Sequence, residues 1–283
     1  MKRFSAALLL LLLAVLPVAG AAQHQVVRIL AIGNSFSQDA VEQNLHELAA
    51  AEEIPTVIGN MYIAGCSLER HVNNARENKA AYAYRKIGQD GRKVERKRVS
   101  LEEALADEAW DYITLQQSSP FSGQYDTYMA SMPELIDYVL SHAPHATLLI
   151  HQTWAYAPHS THKGFANYDN DQMTMYRAIT EAVRKASRKT GIKRVIPAGT
   201  AIQNARTSAL GDDLTRDGFH LDLVTGRYIA ACTWFETLFG RPVIGNAYRP
   251  QKMTEEQQRI AQQAAHAAVR RPWRITPLGE AKK

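Results

Sequence analysis

Five short apolar runs recur along the chain, each separated from the next by a stretch with helical spacing, and this alternation restricts the fold more than any other feature. The runs fall at residues 26–32, 55–63, 110–115, 146–151 and 194–198. The first is β-branched and unbroken, the pattern of a strand buried on both faces. Between and after the runs, apolar spacing predicts helices over residues 39–53, 101–108, 132–140, 169–189, 223–238 and about 255 to 269. Several ends are marked: Ser100 with Glu103, and Thr254 with Gln257, stand at capping-box spacing, and Gly191 and Gly240 follow the last periodic residues. Strands that alternate with helices form a parallel sheet covered on both faces, and such sheets bind ligands at the carboxyl ends of their strands. The class is therefore α/β.

The first 22 residues stand apart. Met1-Lys2-Arg3 is basic, residues 6–18 are apolar, and Ala19-Gly20-Ala21-Ala22 offers small residues for cleavage, which is the three-part pattern of a secretory signal peptide. The apolar run is shorter than the ~20 residues that span a bilayer, and no Cys follows it to carry a lipid. Residues 1–22 are read as a cleaved signal and residues 23–283 as one domain, periplasmic or secreted, with no stable membrane insertion after cleavage. No Pro/Ser/Gly linker, repeat or low-complexity tract divides that domain. Cys66 and Cys232 are the two cysteines. Both lie in apolar contexts and are expected as buried free thiols, since two cysteines make no disulfide framework. Oligomeric state leaves no mark in the sequence.

The 33 Lys and Arg exceed the 28 Asp and Glu by 5. Much of the excess sits in YRKIGQDGRKVERKR, residues 84–98, where Gln89-Asp90-Gly91 reads as the turn of a basic hairpin inserted near residues 82–99. Such arms attract acidic polysaccharides or anionic surfaces. They also serve simply to blunt a strand edge with charge. Nucleic acid is not an expected partner, because aromatic interleaving and a binding motif are both missing.

LAIGNSFSQD, residues 30–39, places Ser35 just after the first run. Gly33 permits a sharp turn there, and Ser37 to Asp39 are available to cap the following helix, which leaves Ser35 free to project. A serine becomes a nucleophile only with a base in reach and a group to orient that base. LTRDGFHLD, residues 214–222, supplies Asp217 and His220 three apart, so that a carboxylate can hold one ring nitrogen while the other faces a serine. The competing reading makes Asp217 a helix cap and His220 a buried ring, and Asp222 is a further carboxylate nearby. In HQTWAYAPHSTHKG, residues 151–164, Trp154 and Tyr156 follow the fourth run, where their rings could bind a sugar or acyl group or merely form a lid. His159 and His162 have no carboxylate or Cys set to complete a metal site.

Ser35 in GNSFS, Gly65 in AGCS and the late DGFH resemble the SGNH/GDSL hydrolases. More narrowly, the chain is similar to an exported bacterial subgroup of that superfamily catalogued as a domain of unknown function. The resemblance spans roughly residues 26–240. It implies a flavodoxin-like three-layer α/β/α fold with a five-stranded parallel sheet, Ser35 as nucleophile, His220 as base and Asp217 as the residue that orients it. It also implies an oxyanion hole built from the N–H groups of Ser35 and Gly65 and a side-chain amide. The family's Asn is missing after the third run, where TLQQSSPFSG offers Gln116 or Gln117. Some carbohydrate esterases of the superfamily place a Gln there. Asn34 replaces the family's usual Asp. The α/β-hydrolase motif G-x-S-x-G is broken by Ser37. The implied activity is a serine esterase acting on O-acyl esters, with O-acetyl and a carbohydrate favoured; its partner is a small-molecule or glycan ester substrate, and no cofactor or metal is expected. The alternatives are a lipid or thioester hydrolase, an acyltransferase with the same three residues, and a non-catalytic glycan-binding protein.

Overall fold

The computed structural model describes residues 25–279, so the predicted leader lies outside the described residues. The strands are β1 (Val27–Gly33), β2 (Thr56–Tyr62), β3 (Tyr82–Ile87), β4 (Lys93–Val99), β5 (Tyr112–Leu115), β6 (Thr147–His151) and β7 (Arg194–Ile196). They form one sheet in the order β4-β3-β2-β1-β5-β6-β7. The strands β2, β1, β5, β6 and β7 are parallel neighbours and coincide with the five apolar runs. Taken alone, these five have the 2-1-3-4-5 order of flavodoxin-type sheets.

The expected five-stranded parallel sheet is corrected to a mixed sheet of seven. The basic hairpin is no detached insertion: β3 pairs antiparallel with β2, and β4 with β3. Tyr82, Tyr84 and Ile87 turn inward from β3 and join the core. Glu42, buried at the end of the first helix, accepts Arg85 at 3.1 Å and Lys93 at 3.2 Å, tying both arms to the body. The outer arm is exposed from Lys93 to Arg98, and its charges keep the free edge from pairing further. Other basic residues of the hairpin are answered internally, Lys86 by Asp107 and Glu108, and Arg96 by Asp107.

The helices are α1 (Ser35–Val41), α2 (Leu45–Ala50), α3 (Leu68–Arg76), α4 (Leu101–Leu105) and α5 (Tyr125–Met129) in the first half. They are followed by α6 (Met132–His142), α7 (Gln172–Thr190), α8 (Ala198–Arg206), α9 (Thr225–Phe239) and α10 (Glu255–Arg270). Right-handed crossovers put α1 and α2 on one face and the helices between β2 and β7 on the other. The helix α9 packs on α1 and α2 and, with α8 and α10, completes the first layer. Both predicted capping boxes form.

The single helix expected over residues 39–53 is instead two. Asn34, not Ser37 to Asp39, caps α1, its Oδ1 accepting the Phe36 N–H at 2.9 Å, so the helix begins at Ser35. The chain then turns at Asn44, whose φ of 68° lies in the left-handed region that Asn tolerates better than most residues. Cys66 and Cys232 are buried and free. No helix among the described residues is long and apolar enough to cross a membrane.

Candidate active site

The strand β1 lies between β2 and β5, and its carboxyl end carries Gly33-Asn34-Ser35. A Cβ on Gly33 would stand 2.5 Å from Ser37 Oγ and 2.9 Å from Gln116 Cδ, so only glycine lets these groups close up. Ser35, half-buried, has its Oγ 2.9 Å from His220 Nε2. On the far side of the ring, Nδ1 lies 2.6 Å from Asp217 Oδ2. The other oxygen, Asp217 Oδ1, accepts the N–H groups of His220 at 2.7 Å and Phe219 at 3.2 Å. One carboxylate thus shapes the turn and fixes the ring. An ionised carboxylate only accepts, so Nδ1 carries a proton and, in the neutral ring, Nε2 offers its lone pair to the serine. Burial pushes the Asp217 carboxyl up, but the hydrogen bonds from the His220 ring and the two N–H groups outweigh it and hold the group below its ordinary value.

Gly218 allows this turn to seat. Its φ is 85°, its Cβ would lie 2.8 Å from Ser160 Cα, and its carbonyl accepts the Ala157 N–H at 2.8 Å. Asp222, the competing carboxylate, is committed elsewhere: it accepts the N–H groups of Val224, Thr225 and Gly226 at the start of α9.

A second carboxylate joins the two halves of the site. Asp39, one turn beyond Ser35 on α1, is 0% exposed. It accepts the Leu221 N–H at 2.9 Å and pairs with Arg216 at 3.2 Å and Arg227 at 2.6 Å. Arg216 also donates to the Leu221 carbonyl. The helix bearing Ser35 and the loop bearing His220 are latched to each other through Asp39.

Trp154 and Tyr156, expected to meet substrate or form a lid, do neither, because the loops around them close overhead. Both are 0% exposed. Trp154 stacks on Phe36 with ring centroids 4.3 Å apart and donates its indole N–H to the Phe219 carbonyl at 2.8 Å. The Tyr156 hydroxyl shares hydrogen bonds with Ser119 Oγ at 2.7 Å and His162 Nδ1 at 3.3 Å. They buttress the DGFH turn from beneath. No group of three or more His, Cys, Asp or Glu side chains among the described residues is arranged to hold a metal ion.

The two glutamines part ways. Gln116 is buried and its Nε2 donates to Asn34 Oδ1 at 2.8 Å, beside Ser35. Gln117 turns away: its Nε2 donates to Thr127 Oγ1 at 3.0 Å and its Oε1 accepts the N–H groups of Leu68 and Ser118. Gly65 is exposed after β2. The N–H groups of Ser35 and Gly65 donate to no acceptor among the described residues. A cleft of about 470 Å³ runs from Ser67, at the start of α3, to Gln117 and is walled by Asn73, Phe121 and Asp126; Ser35, Gly65 and His220 do not line it. Sequence reasoning gave Asp39 only a capping role and passed over Arg216 and His151. A polar residue one turn after Ser35, on the helix face that must be buried, was the signal for Asp39.

Residues 28–268 match the family model described as a domain of unknown function, DUF4886. The crystal structure of a DUF4886 family protein from Bacteroides uniformis is 56% identical, with a TM-score of 0.89, over 90% of this chain and 98% of that one. A candidate SGNH hydrolase from Slackia heliotrinireducens is 21% identical, with a TM-score of 0.52, over 75% of this chain and 99% of that one. A candidate GDSL-like lipase from Parabacteroides merdae is 14% identical, with a TM-score of 0.54, over 77% of this chain and 98% of that one. No curated protein matches the chain. From the matched residues and the shared architecture, the chain belongs to the DUF4886 family, built on the fold of the SGNH/GDSL hydrolases.

Proposed function

We propose that the protein is a serine esterase. The observation that carries this reading is the unbroken line from Ser35 Oγ through both nitrogens of His220 to Asp217, at 2.9 and 2.6 Å. Ser35 Oγ forms a bond to the ester carbonyl carbon while His220 Nε2 takes its proton, and Asp217 steadies the resulting imidazolium. The carbonyl oxygen, now negative, is received by the free N–H groups of Ser35 and Gly65. Gln116, bonded to Asn34 beside Ser35, has a second amide hydrogen for the same oxygen and is assigned the side-chain part. Gln117 is not, since its amide is committed to Thr127. The C–O bond to the alcohol then breaks, with His220 returning the proton to the leaving oxygen. Water repeats the sequence on the acyl-serine and releases the acid.

The proposed substrate is a small O-acyl ester, with O-acetyl preferred, on a carbohydrate. In support, the cleft at Ser67 presents the Phe121 ring, 40% exposed, beside the planar polar groups of Asn73 and Asp126. An aromatic face among amide and carboxylate groups suits a sugar ring better than a long acyl chain. A periplasmic or secreted location, from the basic and apolar leader, fits an extracellular glycan.

The test is hydrolysis of p-nitrophenyl acetate by the wild type and by Ser35→Ala. Wild-type turnover that vanishes in Ser35→Ala, with the fold intact by circular dichroism, is expected. Equal rates would remove Ser35 from the mechanism. Rates that fall from acetate to butyrate to octanoate are expected for a short acyl site, and the reverse order would favour a lipid substrate.

A further inference from the structure

We propose that a one-directional hydrogen-bond relay beginning at His151 sets the spacing of the N–H groups that receive the oxyanion, which makes His151 a positioning residue; this rests on the esterase reading above. His151 ends β6 and is 0% exposed. Its Nδ1 lies 2.8 Å from Gln116 Oε1, and Gln116 Nε2 lies 2.8 Å from Asn34 Oδ1. Asn34 Oδ1 also accepts the Phe36 N–H at 2.9 Å, while Asn34 Nδ2 donates to the Cys66 carbonyl at 3.0 Å. The relay therefore crosses the ends of β6, β5 and β1 and finishes on the loop after β2.

Its direction is forced. The Phe36 N–H requires an oxygen at that corner of Asn34, and that oxygen requires an N–H from Gln116. The Gln116 oxygen must then face His151, so the ring carries its hydrogen on Nδ1. A reversed Gln116 amide would set two acceptor oxygens against each other. Burial keeps the ring neutral, its pKa pushed down to about 3, so Nε2 is left as a lone pair. That Nε2 has no partner among the described residues, and the ring as a whole meets the indole of Trp234 edge to face, with centroids 5.0 Å apart.

What the relay grips explains its use. Phe36 N–H belongs to the peptide immediately after Ser35, and the Cys66 carbonyl to the residue immediately after Gly65. Asn34 thus holds the two oxyanion donors through their neighbours, one on each side. A buried amide that loses its partner can rotate, and the polarity of the whole chain is then lost. Oxyanion contacts are made in the transition state, so the loss should appear in kcat and not in KM.

The experiment compares His151→Leu and His151→Phe, which fill the space without a donor, with His151→Asn, whose amide can stand where Nδ1 does. With p-nitrophenyl acetate, kcat in the first two should fall about 10- to 100-fold at unchanged KM, less than the ~100- to 1,000-fold of removing a donor outright, because the donors are displaced and not deleted. Affinity for an arylboronic acid, whose adduct with Ser35 places an oxygen in the hole, should fall with kcat. His151→Asn should keep kcat near the wild-type value, whatever its melting temperature. If all three variants lose stability alike while kcat per folded molecule stays at wild type, His151 is only a packing residue. If neither Leu nor Phe folds, a slow His151→Asn overturns the relay and a wild-type kcat supports it. Ser35-dependent turnover by the wild type is the control, and its absence would overturn the esterase reading and the relay together.

Discussion

In the proposed mechanism the His220 ring works between two unlike neighbours, a hydroxyl that must give up a proton and a carboxylate that must not. The hydrogen bonds to Asp217 hold its pKa below the ordinary value, so it stays ionised on the acid side of neutrality. Activity should nevertheless fall on acidification, since a protonated ring cannot take the serine proton. A kcat/KM profile with no acid limb would remove His220 as the base. His220→Ala should lose nearly all turnover. Asp217→Asn should lose as much or less, on the order of ten-thousand-fold in kcat where an amide selects the wrong tautomer. Measured together, the two losses should not add, because the residues act as a unit. The meeting of Ser35, His220 and Asp217 was legible because the proposed chemistry needs particular side chains, two of them at a short fixed spacing. Trp154 and Tyr156 were misread because whether a loop aromatic faces solvent depends on which distant segment folds over it, and here Phe36 and Phe219 do so.

At the level of elements, the alternation of apolar runs with helices located the five parallel strands to within about two residues at each end, the usual uncertainty of element limits. Pairing of the hairpin with β2 was not legible, because antiparallel docking is decided by which edge is free and by Glu42, 43 residues from Arg85 in the chain. The helix α3 was missed because LERHVNNAR has few apolar residues, and α8 because nearly all of its residues are buried, which erases any polar face. The latch between α1 and the DGFH loop has an energetic consequence. Asp39→Ala would leave Arg227 buried without its carboxylate, and breaking such a pair typically costs about 3–5 kcal/mol. The variant should unfold at lower urea and, where still folded, turn over more slowly because the loop is no longer held against α1. Full kcat in the folded fraction would show that Asp39 supports stability alone.

For the whole molecule, two buried rings set an acid limit. Burial holds His151 neutral with its pKa at about 3, and burial together with the Arg70 charge does the same for His71. Unfolded, both titrate at the ordinary 6.5. Between those values the unfolded chain binds more protons, so the stability they contribute is present above about pH 6.5 and is lost as pH falls toward about 3. Each ring accounts for up to about 1.4 kcal/mol per pH unit. Urea unfolding at about pH 7 and about pH 5 should show a lower midpoint at the acid value, at constant slope; equal midpoints would mean that the rings gain protons without unfolding. The separation of 185 residues between Ser35 and His220 carries a different consequence. A chain made from its amino end has its serine, and the strand that aims it, long before it has a base. In the proposed mechanism a chain that stops short of His220 is therefore inert toward esters, and cutting them must wait until the DGFH turn has been made and seated against α1.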